Sequence, residues 1–354
     1  MAVAEALKDS QEPVSLCYAG SPQGVERELV ARQGLDFRAV PSGPLHGVNP
    51  IRAAGSLLRI GRGVFAALAL MRDFRPDALM MTGGWVTFPV ALAGWLRRVP
   101  SLIFTPDIEP GATIRATSKL VTRVAISTPD SERFFRRGQA VNTGYPVRPE
   151  LARAVGQRQE AVAYFGLDSS LPTVLVFGGS HGARSINKTL TGILPELLSH
   201  CQVIHISGRL DWEWVGEAAT TLPENAAKRY HLHAYLHEDM GLALAAADLV
   251  VSRAGAGTLG EFPLFGLPAI LVPYPHAWRY QKVNADYLVE RGAALRLDDA
   301  ALGTDLLPAV RGLLQDAERR EAMAERSRAL AVPDAAGRIA AELRRLVLES
   351  RGNP

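Results

Sequence analysis

Short apolar runs rich in β-branched residues alternate with longer segments of helical period along nearly the whole chain, and no other feature constrains the fold as tightly. The runs are Val14 to Tyr18, Ala78 to Met81, Ser101 to Phe104, Val124 to Ser127, Val174 to Phe177, Val203 to Ile206, His231 to Ala234, Leu249 to Ser252 and Ala269 to Val272. Strands separated by helices in this way form βαβ units, hence parallel sheets covered on both faces. The pattern repeats on either side of about residue 150. At 354 residues the chain also exceeds what one hydrophobic core normally serves. The sequence therefore predicts an α/β protein with two doubly wound domains. The boundary falls at Tyr145-Pro146-Val147-Arg148-Pro149, giving domains 1–148 and 149–334, with Gln157 to Ser170 as a polar linker and an amphipathic last helix over 335–350.

Composition removes several function classes. With 39 basic and 36 acidic residues the net charge is +3, too balanced to indicate nucleic-acid binding without a clustered basic face. Cys17 and Cys201 lie far apart in apolar runs, which fits a reducing compartment and no disulfide framework or metal cluster. No apolar run approaches the roughly 18 to 20 residues of a spanning helix, the best being Val64 to Met71. The first residues lack the order of a signal peptide, so the expected compartment is the cytoplasm, and any membrane contact is peripheral. Doubly wound domains open with a strand and a glycine-rich turn, yet this chain opens in helical spacing at Ala2 and Leu7. Either the sheet is shorter or translation begins upstream; we read the first Met as internal.

Three segments carry chemistry. Phe177-Gly178-Gly179-Ser180-His181-Gly182-Ala183-Arg184 follows a predicted strand and opens a helix. Glycines let backbone approach an anion, and amides at a helix start favour a diphosphate; the alternative is a plain tight turn. Ser252-Arg253-Ala254-Gly255-Ala256-Gly257-Thr258-Leu259-Gly260-Glu261 again runs through small residues into a helix. Glu261 there is either an acceptor for two ribose hydroxyls or a solvated helix acid. In the loop Val272 to Ala285, Gln281 offers donor and acceptor to hexose hydroxyls, while His276 is equally a ligand or a loop histidine bonded to backbone.

In this order the segments resemble the UDP-sugar-binding half of the MurG glycosyltransferase family. Gly83-Gly84-Trp85-Val86-Thr87 is similar to that family's amino-terminal glycine pair, and Gly144-Tyr145-Pro146-Val147-Arg148 to its interdomain segment, so the resemblance covers about Met1 to Leu346. It implies the GT-B fold of two facing Rossmann-like domains, with 1–148 facing acceptor and membrane, 335–350 packing back on it, and 149–334 binding the donor. It implies that Gly179, Ser180 and Gly182 hold the diphosphate with help from Arg148, and that Tyr235 and Leu236 frame the uracil. Ala256 and Thr258 would contact the nucleotide, Glu261 the ribose, Tyr280 and Gln281 the N-acetylglucosamine hydroxyls, with Gly83 and Gly84 on the acceptor side.

Two departures concern the acceptor. The family's amino-terminal Gly-Gly-Thr-Gly-Gly-His loop has no counterpart, and Phe104-Thr105-Pro106-Asp107-Ile108-Glu109 stands where the family has His-Glu-Gln-Asn. Asp107 and Glu109 are each a substitute general base or a structural loop carboxylate. Ile51 to Arg75 mixes aliphatic residues with arginines, as expected of a helix in an anionic membrane interface or of one packed on the sheet with its arginines in water. The expected activity is inverting, metal-independent and cofactor-free transfer from UDP-N-acetylglucosamine to a polyprenyl-diphosphate-linked acceptor at the cytoplasmic membrane face. Three rivals stay open: a related transferase with another lipid acceptor, a UDP-sugar epimerase, and an inactive UDP-sugar-binding protein.

Overall fold

The computed structural model describes residues 1–9, 13–22, 26–44, 50–179, 182–276 and 279–352. The chain divides into two compact units, one of Met1–Pro146 with Asp334–Pro354, the other of Val147–Pro333.

Strands of the first unit form two parallel sheets among the described residues. One pairs β1 (Cys17–Gly20) with β2 (Asp36–Ala39); the other runs in the order β3 (Leu79–Met81), β4 (Ser101–Thr105), β5 (Arg123–Ile126), β6 (Ala140–Asn142). All five residues of β4 are buried, as befits a strand covered on both faces. Against one face pack Ala67 and Met71 of the helix Pro50–Phe74 and Val90, Ala91 and Ala93 of the helix Thr87–Leu96. Against the other lie Val3 of the helix Ala2–Lys8 and Ile339, Ala340, Leu343 and Leu346 of the helix Ala335–Gly352. The spacing of those last four residues makes the apolar stripe of an amphipathic helix.

The second unit holds one six-stranded parallel sheet of β7 (Thr173–Phe177), β8 (Gln202–Ile206), β9 (Tyr230–His233), β10 (Leu249–Ser252), β11 (Ala269–Leu271) and β12 (Ala294–Arg296), in the order β12-β11-β10-β7-β8-β9. Val174 and Val176 pack there with Ile186, Leu190 and Leu194 of the helix Arg184–Leu197. The predicted linker 157–170 is corrected: it contains the helix Arg158–Phe165, closed by Gly166 at φ 64°. Ala161 and Phe165 are its buried residues, one turn apart, and Arg158 bonds Asp248 Oδ2 at 2.9 Å. The predicted strand Val14 to Tyr18 lies at Cys17–Gly20, and β2, β6 and β12 were not foreseen.

Candidate functional site

In the second unit β7 and β10 are neighbours, but the chain leaves β7 toward β8 and β9 and leaves β10 toward β11 and β12. Loops after those two strands therefore diverge, and a crevice opens beyond their carboxyl ends, the place where open α/β sheets bind ligands. A cavity of about 810 Å³ lies there, lined by the loops that follow β7, β10 and β11 and by Asp299 beyond β12.

Gly179 and Gly182 line the cavity. Gly182 has φ +77°, donates its N–H to the Gly179 carbonyl at 3.0 Å, and passes so close to β8 that a Cβ would sit 2.5 Å from the Ser207 carbonyl oxygen. The helix Arg184–Leu197 follows with no side-chain cap, so its first amides remain available to an anion. Ser180, expected to hold the diphosphate, and its neighbour His181 lie outside the described residues.

Thr258, Glu261 and Gln281 line the same cavity. Thr258 donates its hydroxyl to the Gly255 carbonyl at 2.7 Å, closing the turn after β10. Burial raises the pKa of Glu261, with the charge of Arg148 acting in the opposite direction. Arg148 itself is exposed and lies outside the cavity lining. The Gln281 side-chain oxygen accepts the Tyr274 N–H at 2.8 Å, so its amide hydrogens are what the residue chiefly offers a ligand. His276 also lines the cavity, its ring edge-on to Tyr274.

Tyr235, Leu236, Ala256 and Tyr280 lie outside that lining. Tyr235 is 37% exposed, with the His237 ring 4.6 Å away between centroids and the Arg209 guanidinium 5.7 Å above its face. An exposed aromatic in that setting can stack a planar base.

Sequence reasoning missed an ion-pair network on the cavity wall. Arg253, 9% exposed, donates from Nη1 to Asp299 Oδ1 at 2.5 Å and to the Val272 carbonyl at 3.1 Å, and from Nη2 to Ser185 Oγ at 2.7 Å. Ser185 Oγ in turn donates to Asp299 Oδ1 at 2.6 Å. The segments that follow four strands, β7, β10, β11 and β12, are thereby tied together. Arg253 stood inside a quoted motif, but Asp299 follows an unforeseen strand and gave no signal.

In the first unit Gly83 and Gly84 follow β3 at φ +101° and +83°, and the Thr87 hydroxyl donates to the Gly83 carbonyl. Glu109 is buried, its Oε1 accepting from Arg115 Nη2 at 2.8 Å. Asp107 is half-buried, its carbonyl accepting from the Thr105 hydroxyl at 3.2 Å. Among the described residues no group of three His, Cys, Asp or Glu side chains could hold a metal ion.

The sequence model of the glycosyltransferase family 28 N-terminal domain matches residues 1–126, and that of the family 28 C-terminal domain matches residues 173–339. A UDP-N-acetylglucosamine--N-acetylmuramyl-(pentapeptide) pyrophosphoryl-undecaprenol N-acetylglucosamine transferase of Roseiflexus sp. (strain RS-1) is 43% identical, covering 94% of this chain and 84% of the relative. The enzyme of the same name from Desulforudis audaxviator (strain MP104C) is 38% identical, covering 95% and 91%. Among solved structures, Acinetobacter baumannii MurG superposes with a TM-score of 0.76 at 24% identity over 97% of this chain and 94% of that one. The UDP-GlcNAc 2-epimerase of Neisseria meningitidis, bound to UDP-GlcNAc, superposes with a TM-score of 0.69 at 13% identity over 98% and 95%. Both superpositions speak to the fold alone, which transferases and epimerases share.

Proposed function

The chain belongs to the UDP-N-acetylglucosamine--N-acetylmuramyl-(pentapeptide) pyrophosphoryl-undecaprenol N-acetylglucosamine transferases, the MurG glycosyltransferases, and on that premise we propose how its own residues carry the transfer. The donor is UDP-N-acetylglucosamine, the acceptor the lipid-linked N-acetylmuramyl-pentapeptide of peptidoglycan synthesis. The observation that carries this reading is the convergence of the loop at Gly179 and Gly182, Glu261 and Gln281 on one cavity. The diphosphate rests on the amides at the start of the helix Arg184–Leu197, the ribose diol donates to the Glu261 carboxylate, and the Gln281 amide reaches a sugar hydroxyl. The acceptor hydroxyl attacks C1 while UDP departs, and charge growing on the leaving diphosphate is met by the positive end of that helix.

For the base we favour Asp107 over Glu109. A group that takes a proton must be reachable, and Glu109 is buried against Arg115.

Membrane attachment belongs to the helix Pro50–Phe74. Its apolar residues divide between core and surface: Ala67 and Met71 are in the core, while Leu57, Leu58 and Phe65 are 60%, 74% and 75% exposed. Exposed Arg59, Arg62 and Arg72 accompany them. An apolar face rimmed with arginine suits the anionic cytoplasmic leaflet. No helix among the described residues is long and apolar enough to cross a membrane. Leu58→Ser with Phe65→Ser should reduce co-sedimentation with anionic vesicles.

The activity is tested by following UDP release from UDP-N-acetylglucosamine with and without lipid-linked acceptor. Release that requires acceptor supports the transfer. Donor consumption without acceptor favours an epimerase, and donor binding without consumption an inactive binding protein.

A further inference from the structure

Beneath the loop that follows β7 runs a chain of buried polar groups that ends in the cavity. Tyr230 Oη lies 2.6 Å from His205 Nδ1, and His205 Nε2 lies 2.9 Å from Asn187 Oδ1. Asn187 Nδ2 donates to the Ser207 carbonyl at 2.8 Å and to Asp211 Oδ2 at 2.9 Å. Asp211 Oδ1 then accepts from Arg184 Nε at 2.8 Å and from Arg184 Nη2 at 2.7 Å. Asn187 and His205 are 0% exposed and Asp211 3%.

The direction of every bond follows from valence. Both Asn187 donor bonds come from Nδ2, so its oxygen must accept, and His205 Nε2 carries the proton. Burial pushes the His205 pKa down to about 3, so the ring is neutral and its Nδ1 accepts from the Tyr230 hydroxyl. Each donor has an acceptor and each acceptor a donor, the condition under which a buried polar network fixes one arrangement.

Arg184 differs from the rest of the chain. Its side chain is 63% exposed and lines the cavity one residue beyond Ala183. Two of its N–H groups neutralise the buried Asp211 carboxylate, while the rest of the guanidinium stays on the exposed cavity wall. Asp211 takes two of its five N–H groups, and among the described residues three remain. We propose that Arg184 binds the donor diphosphate through those groups, with Asp211 as its positioning residue and Asn187 and His205 behind it. This rests on the donor reading of the cavity.

Uridine lacks the diphosphate, so comparing it with UDP separates this role from a structural one. Calorimetric titration of the full chain with both ligands should show Arg184→Gln losing about tenfold to a hundredfold in UDP affinity, the range for a hydrogen bond to a charged group, with uridine affinity unchanged. Arg184→Lys keeps the charge without the planar fork and should show an intermediate loss. Asp211→Asn should weaken UDP and spare uridine. Equal losses for both ligands, or no loss for either, in Arg184→Gln overturn the proposal; if that variant does not fold, the same outcomes in Arg184→Lys decide it. Wild-type protein that fails to bind UDP overturns the donor reading itself, whereas wild-type binding that Arg184→Gln leaves intact overturns this proposal alone.

Discussion

Two glycines of the loop after β7 share a backbone conformation but not a neighbourhood, so alanine at each separates strain from collision. Gly179 and Gly182 have φ +88° and +77°. A left-handed conformation costs an L-residue about 1–2 kcal/mol, offset by the roughly 0.4–1 kcal/mol that alanine gains over glycine through the unfolded chain. A Cβ on Gly179 meets nothing within 4 Å, so Gly179→Ala should cost about 1 kcal/mol. On Gly182 it sits 2.5 Å from the Ser207 carbonyl oxygen and 3.3 Å from Gly208 Cα. Both neighbours are backbone just beyond β8, unable to rotate away, and overpacking adds about 1–3 kcal/mol. Gly182→Ala should therefore cost about 2–4 kcal/mol, or roughly 4–16 °C in Tm against about 2–4 °C for Gly179→Ala. Scanning calorimetry of the two variants side by side reads the difference. A Gly182→Ala protein melting no lower than Gly179→Ala would refute the steric reasoning.

Glu261 supplies a pH prediction. Its raised pKa means that the folded chain holds this proton more tightly than the unfolded one, so the unliganded protein gains stability as pH falls through that value. Protonation removes the ribose acceptor, so UDP affinity should fall over the same interval, beginning above the ordinary Glu value of 4.5, and Glu261→Gln should flatten that profile. Gln281→Ala should weaken UDP-N-acetylglucosamine more than UDP in competition titrations, and equal losses remove the residue from the sugar pocket. Arg253→Leu removes the counter-charge of Asp299, leaving it the Ser185 hydroxyl, and should lower unfolding stability by about 3 kcal/mol in denaturant titrations; a loss below about 1 kcal/mol would mean the network is no more than a surface pair.

Nine of the described strands were legible in the sequence, the edge strands β1, β3 and β9 among them, and three were not. All residues of β8 and β10 are buried, and Val203, Ile204 and Ile206 in the one and Leu249, Val250 and Val251 in the other announced it. The three unforeseen strands all stand at sheet edges: Asp36–Ala39, Ala140–Asn142 and Ala294–Arg296. An edge is covered less completely, so Asp36, Arg38, Asn142 and Arg296 can stand in strands and hide the pattern. The helix Arg158–Phe165 was hidden by its polar start, with burial limited to Ala161 and Phe165. Gly179, Gly182, Thr258, Glu261 and Gln281, singled out by motif and resemblance, line one cavity because the loops after β7, β10 and β11 border the same crevice. The Arg253–Asp299–Ser185 network and the chain from Tyr230 to Arg184 were not, since each joins residues from three or more segments by side-chain geometry alone.

The most direct test of the donor site is a crystal structure of the full chain with UDP-N-acetylglucosamine bound. The account predicts the diphosphate on the amides at the start of the helix Arg184–Leu197, the ribose diol within hydrogen-bond distance of the Glu261 carboxylate, and the sugar beside Gln281. Nucleotide bound elsewhere, with this cavity holding solvent, would contradict it.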